Sequence, residues 1–400
     1  MAAVHNIVII GASFGGIPVA HGLLKDVLPQ LSATGKEYKV IMISPSEEFF
    51  WKVGSPRTIV NPTALPVEKV LVPIADGFKN YKPEQYQFIK AFANEIDPSS
   101  KTIQLSTNEA VHYDSLVIAS GTSFESPIWS VAGGSEPTRA ALKDIHERLP
   151  NAESVVVAGG GAAGTETAGE LGETYGNKKQ ITFLTGMNQP LNRLNNKKVG
   201  ADAESRLERM GVKVVNNVKV SSATKQGNKD VLQLSNGEIM TVDVYIEATG
   251  DRPNSRFVPG AWLNEKRYVK ADPQTLRLDV SGETGVYVIG SVASYSDGSI
   301  LDAKFTVKPI LESIKIDLQG GGESHDTNAD MLMLTTFTES TKRTKNIYKK
   351  ITSDMQFVPL GSTQGVGVVM GWKIPSFMVK MAKSKDFMIG QVPKLISGTG

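Results

Sequence analysis

The sequence predicts an α/β protein with two parallel, doubly wound sheets and a small α+β segment at its C-terminal end. Three observations predict it. An apolar strand, a glycine turn and a helix occur twice, at "IVIIGASFGG" (residues 7–16) and "SVVVAGGGAAGTETAGELGE" (154–173). Each copy is followed by a short β-branched strand, "YKVIMIS" (38–44) and "QITFLT" (180–185). Each unit then ends in an Asp, an apolar strand and a glycine, Asp114 to Gly121 and Asp243 to Gly250. Two strand–helix–strand units of this kind build parallel sheets.

The glycine turns point to chemistry. A G-x-G-x-x-G turn between strand and helix brings free N–H groups and the positive end of the helix dipole to one point, where a phosphate is favoured. The second copy is complete, with Gly159, Gly161 and Gly164, and Glu166 follows two residues later. The first has Gly11, Gly15 and Gly16, with Ser13 in the middle place. One such turn is weak evidence for a dinucleotide; two, each with its following strand, are strong.

Between these landmarks, residues 86–118 alternate as a small antiparallel meander leading back to a buried strand at Leu116–Ala119. Residues 212–250 repeat that plan, with Asn236-Gly237 as a hairpin turn. A further buried strand, "GVYVIGSVA" (285–293), precedes a helix at 303–317, and "QGGGESHDTNAD" (319–330) has the composition of a linker.

Composition narrows the function. Apolar content of 40% and charged content of 21% describe an ordinary globular chain. A net charge of +2 gives no field suited to nucleic acid. Charge is uneven, however: Met331–Gly400 holds ten Lys/Arg against three Asp/Glu, leaving residues 1–330 near −5. That tail either is a solvated face or meets an anionic membrane or phosphorylated ligand. With no cysteine, a dithiol redox pair, a thiolate metal site and a cysteinyl cofactor link are all excluded. His5, His21, His112, His146 and His325 lack metal-ligand spacing and are expected to be structural or exposed. The chain lacks an 18-residue apolar run, a basic signal start and an N-terminal Met-Gly, so a cytoplasmic protein is expected.

The motif order resembles the two-dinucleotide-binding-domain flavoproteins, pyridine-nucleotide oxidoreductases using FAD and NAD(P)H. The signatures are "GASFGG" (11–16), "YDSLVIASG" (113–121), "GGGAAGTE" (159–166), "EATGDRPN" (247–254) and "GVYVIGSVA" (285–293). "FFWKVGSPR" (49–57) and "GVGVVMGWKIPSFMVKMAKSKDF" near the C-terminus are similar to the apoptosis-inducing-factor-like branch, with its ferroptosis-suppressor type of quinone oxidoreductase and fungal relatives. The resemblance implies an FAD domain at 1–125 and 251–318, an inserted NAD(P)H domain at 126–250 and a C-terminal domain at 331–400. Gly11, Ser13, Gly15 and Gly16 would border the FAD pyrophosphate, and Arg57 would stand near the flavin, unless it is only a surface ion pair. Gly121, Gly250 and Pro253 would mark the crossovers, with Gly290, Ser291 and Ala293 facing the ribityl chain. Gly159, Gly161, Gly164 and Glu166 would form the nicotinamide-dinucleotide turn.

Three serines depart from that pattern. Ser13 replaces a glycine, while Ser44 and Ser291 stand where carboxylates usually hold ribose and ribityl hydroxyls. A neutral acceptor holds a hydroxyl less strongly than a charged one, so FAD is expected to be non-covalent and loosely held. The second unit ends in Thr185-Gly186 without an acid, which admits NADPH, with Arg193, Lys197 or Lys198 as candidate partners of its phosphate.

The implied reaction is hydride transfer from NAD(P)H through flavin to a quinone or similar small acceptor, with no catalytic residue named and no metal. Two alternatives stand: a tailoring oxidoreductase of specialised metabolism, or an apoptosis-inducing-factor-like redox sensor with little turnover. Trp372, Phe377, Met378 and Phe387 either fill the core of the C-terminal segment or wall an apolar pocket or membrane face. A monomer or homodimer is expected, and the basic tail, unless it is a solvated face, would make peripheral contact with a mitochondrial or lipid-droplet surface.

Overall fold

The structure, a computed structural model, describes residues 4–31, 35–320, 347–350 and 352–399. The first sheet is parallel throughout and runs, edge to edge, Val286–Val288, Ser115–Ile118, His5–Ile10, Tyr38–Ser44, Tyr86–Lys90. The second runs Val212–Val215, Gln180–Leu184, Ser154–Ala158, Val244–Glu247, also parallel. In both, the strand order reverses beside the first strand of the unit, and ligands of such sheets bind at the carboxyl ends of the strands at that reversal. Gly11 and Gly159 follow those first strands directly.

The run "IVII" is buried on both faces, as a central parallel strand must be. The continuous apolar runs at 115–118 and 155–158 are buried in the same way. The meander at 93–112 forms its own antiparallel sheet (Ala93–Asp97, Thr102–Leu105, Ala110–His112), and 86–90 joins the main sheet instead. Asn236-Gly237 makes the expected turn between Lys229–Leu234 and Ile239–Val242, with Gly237 at φ +88°. The last long helix spans Ile300–Leu318, capped by the Ser299 hydroxyl accepting from the Asp302 N–H.

The crossovers between the two units pair as short antiparallel strands, Thr122–Phe124 with Asp251–Pro253. Ser120 Oγ donates to Asn254 O at 2.7 Å, and Asn254 Nδ2 returns a bond to Ser120 O at 2.9 Å. The C-terminal segment packs into both units. Its hairpin, Gln356–Pro359 with Gly365–Val369, puts Val358, Leu360, Val366 and Val368 into the core of the second unit. Phe387, Val392 and Ile396 join the core of the first. Most of the linker-like stretch at 319–330, the first part of the basic tail and His325 lie outside the described residues.

Candidate functional site

Both glycine turns are closed by contacts that leave no room for side chains. A Cβ on Gly16 would stand 1.9 Å from Gly11 O, and one on Gly164 1.9 Å from Gly159 O. Gly11 (φ +112°) and Gly159 (φ +128°) are held in the same way against Ala119 O and Ala248 O, so strand and helix meet at the closest approach backbone allows. Gly161 differs: nothing lies within 4 Å of where its Cβ would be. The second turn therefore has open space in front of the free N–H groups of helix Ala162–Tyr175.

At the first turn, the Ser13 hydroxyl makes no hydrogen bond among the described residues, and its carbonyl accepts from Ile17 N. Ser44 Oγ accepts from Ser46 N at 3.3 Å, capping its own turn. Ser291 Oγ and Thr122 Oγ1 lie 3.2 Å apart beside Gly121 and Gly290, both at positive φ. Gly250 lies at the opposite crossover, also at positive φ. Lys52 Nζ, 5.9 Å from the Phe14 ring centroid, has no hydrogen bond or ion pair among the described residues. Burial lowers its pKa, opposed by Asp251.

A buried charge cluster sits where the two units and the C-terminal segment meet. Glu166 and Glu170 lie one turn apart on helix Ala162–Tyr175 and are 3% and 2% exposed. Buried carboxylates require partners. Arg57, on helix Ser55–Val60, gives Glu170 two bonds, Nε to Oε2 at 3.0 Å and Nη2 to Oε1 at 2.9 Å. Its other donors reach Lys385 O at 3.0 Å and Ser384 O at 2.8 Å, and its guanidinium lies 4.7 Å from the Phe387 ring centroid. Lys383 donates to Glu166 Oε1 at 2.5 Å and lies 5.7 Å from the same ring. Burial pushes the Glu166 carboxyl up to about 7; Lys383 opposes the shift and Glu170 adds to it. Burial also raises Glu170, against the pull of Arg57.

Arg57 is thus a buried pair and not the surface pair that was its alternative. Its placement comes from "GSPR", where Pro56 starts a short helix that turns the guanidinium into the interface. The core reading of the C-terminal aromatics holds for Phe387 alone. Trp372 is 80% exposed and Phe377 62%, with Met378 also on the surface. Among the histidines, His21 is buried, bonded to Tyr81 Oη and Ile396 O, and burial pushes its pKa down to about 4. His5 meets Ser115, His146 bonds Thr58 O, and His112 is exposed. Sequence reasoning did not single out Lys383, Glu170 or Lys52.

Two glycine turns at the reversal points of two parallel sheets, stitched at paired crossovers, make an architecture of two Rossmann-type units. The sequence pattern of the pyridine nucleotide-disulphide oxidoreductases matches residues 5–316. The chain belongs to this family. Among curated members, oxidoreductase phnG of Penicillium herquei is 32% identical, the match covering 98% of this chain and 96% of that protein. Ferroptosis suppressor protein 1 of Xenopus tropicalis is 24% identical over 96% of this chain and 94% of its own. Apoptosis-inducing factor homologues appear too, as from Dictyostelium discoideum at 24% identity over 73% of this chain and 72% of that protein. A sulfide:quinone oxidoreductase from Aquifex aeolicus shares the fold, with TM-score 0.71, 16% identity and coverage of 98% and 92% of the two chains.

Proposed function

We propose that this oxidoreductase binds FAD at its first turn and NAD(P)H at its second, and passes electrons to a quinone or similar small organic acceptor. The observation that carries the reading is the pair of turns at the two sheet reversals, one with open space before Gly161 and the other with an unbonded Ser13 hydroxyl. The residues present fit such cofactors. Free N–H groups face both phosphate positions, and Lys52 adds a cation beside the first. Hydroxyls of Ser44, Thr122 and Ser291 stand in for the carboxylates that would hold sugar hydroxyls, so the fit is real but neutral. When bound, a flavin supplies hydride acceptance from a nicotinamide and electron delivery to the acceptor.

The chain's own part is positioning and proton supply. Reducing a quinone consumes two protons with its two electrons, and Glu166 is a buried carboxyl whose pKa burial raises to about 7 while its Oε1 accepts from Lys383. Arg57 fixes Glu170 and the 384–385 backbone, which sets where Lys383 begins. The wall around them excludes water and strengthens each charge contact.

The basic C-terminal face supports peripheral contact with an anionic bilayer. Met370, Trp372, Phe377 and Met381 protrude beside exposed Lys380 and Lys385. No helix among the described residues is long and apolar enough to cross a membrane. Flotation with phosphatidylserine vesicles, lost in a Trp372→Ser/Phe377→Ser/Met381→Ser variant, tests the contact. Equal flotation of both proteins refutes it.

A second reading, a tailoring oxidoreductase acting on a specialised metabolite, is favoured by the higher identity to the fungal oxidoreductases phnG and ptaL, 32% each, than to the ferroptosis suppressors. One experiment separates the readings. The absorption spectrum of purified protein is taken with added FAD, then followed through anaerobic titration with NADH or NADPH and mixing with a soluble quinone. Bleaching and quinone-dependent return support the first reading. Bleaching without return favours the second, and a stable long-wavelength complex without turnover favours a redox sensor. A colourless protein that takes up no FAD refutes the flavin reading.

A further inference from the structure

We propose that Lys219 makes the second nucleotide site selective for NADPH by pairing with the 2′-phosphate. The inference deepens the reading above and rests on it. On a doubly wound sheet, the adenosine ribose of a nucleotide seated on the glycine turn lies against the end of the next strand. An acid at that end binds the 2′-hydroxyl and repels a 2′-phosphate. Here strand Gln180–Leu184 runs into Thr185-Gly186, which carries no acid.

The turn and that strand end are in contact. Gly160 N donates to Thr185 O at 3.1 Å, and a Cβ on Gly160 would stand 2.6 Å from the same oxygen. Thr185 Oγ1 is committed to Met187 O at 2.6 Å and Asn216 Oδ1 at 3.0 Å, so its proton is occupied within the loop. Gly186 follows at φ +67°, and a Cβ there would lie 3.1 Å from Lys219 Cγ and 3.7 Å from Cε. The lysine stem therefore lies across the glycine that ends the strand.

Its backbone is fixed on both sides by Ser235: Lys219 N donates to Ser235 Oγ at 3.0 Å, and Ser235 N to Lys219 O at 2.9 Å. The ammonium is exposed and has no hydrogen bond or ion pair among the described residues. Lys197, by contrast, gives its ammonium to Asn192 O at 2.5 Å. The Glu204 carboxylate accepts from Asn216 Nδ2 at 2.8 Å. An unspent cation thus stands where an acid would select NADH. Lysine binds phosphate as a point charge and needs no bidentate geometry to do so.

The test is calorimetric titration, with FAD in excess to fill the first site, using 2′,5′-ADP and 5′-ADP as probes. Wild type is expected to bind 2′,5′-ADP about tenfold more tightly. Lys219→Met should erase that difference while leaving 5′-ADP unchanged, Lys219→Glu should reverse it, and Lys219→Arg should keep it. The NADPH/NADH ratio of kcat/KM should follow the same order. Equal binding of the two probes by wild type, or equal loss of both in Lys219→Met, overturns the Lys219 assignment and leaves the nucleotide site standing. Binding of neither probe overturns both.

Discussion

Glu166→Gln separates the cost of a buried carboxylate from the shape of the residue that carries it. In the unfolded chain the group has its ordinary pKa of 4.5, and in the folded chain burial raises it to about 7. Between those values the folded chain keeps a proton that the unfolded chain has released. Rising pH therefore favours unfolding. The stability tied to this group is complete below about pH 4.5, falls across the window and levels off above 7. At about 1.4 kcal/mol per pKa unit, the full loss is about 3 kcal/mol. Glutamine is neutral throughout, keeps the volume, and its Oε1 still accepts from Lys383. The variant should gain on wild type by about 2 kcal/mol between pH 5.5 and 8. Urea unfolding of both proteins at several pH values measures that gap. A gap constant to within about 0.5 kcal/mol, or one that shrinks as pH rises, refutes the reasoning.

Arg57→Ala strands the buried Glu170 and two backbone carbonyls, at a cost of about 3–5 kcal/mol in urea unfolding. Adding Glu170→Gln should restore part of it. Gly169→Ala places a Cβ 2.5 Å from Leu360 Cα, so the C-terminal hairpin must shift. The expected loss is about 1–3 kcal/mol, with faster proteolysis after residue 350 as a second readout. Ser291→Asp supplies the carboxylate that the crossover lacks and should tighten FAD about tenfold, measured by quenching of flavin fluorescence. Unchanged affinity would mean that Ser291 does not face the cofactor.

The two sheets were legible because their signals are local. "IVII" (7–10) and "VVVA" (155–158) are apolar at every position, which only a strand buried on both faces requires. The glycine after each strand is demanded by a clash within the unit itself, Gly11 with Ala119 and Gly159 with Ala248. The C-terminal segment was harder to read, since its short helices and hairpin bury themselves against two units far away in sequence. The exposure of Trp372 and Phe377 beside a fully buried Phe387 depends on that docking and on no periodicity within the segment. Lys219 was missed for a similar reason. It belongs to the loop after the next strand and reaches Gly186 only across the sheet edge.

The charge cluster does leave a trace in the sequence. Helix 162–175 reads "AAGTETAGELGETY", with Gly164, Ala168, Gly169, Leu171 and Gly172 over one half of its circumference and Ala162 and Ala163 on the other. A helix with small and apolar residues on every side is buried on every side. Two carboxylates four residues apart on such a helix have no solvated face to turn to, so each must be met by a cation from elsewhere. The burial of helix 162–175 therefore predicts two basic partners without naming them. Arg57 and Lys383 fill those places from opposite ends of the chain, and Phe387 closes over both. The C-terminal segment supplies one of the two cations and the ring that covers both. Removing it would leave Glu166 uncompensated beside the second glycine turn, so this segment is part of the buried charge cluster.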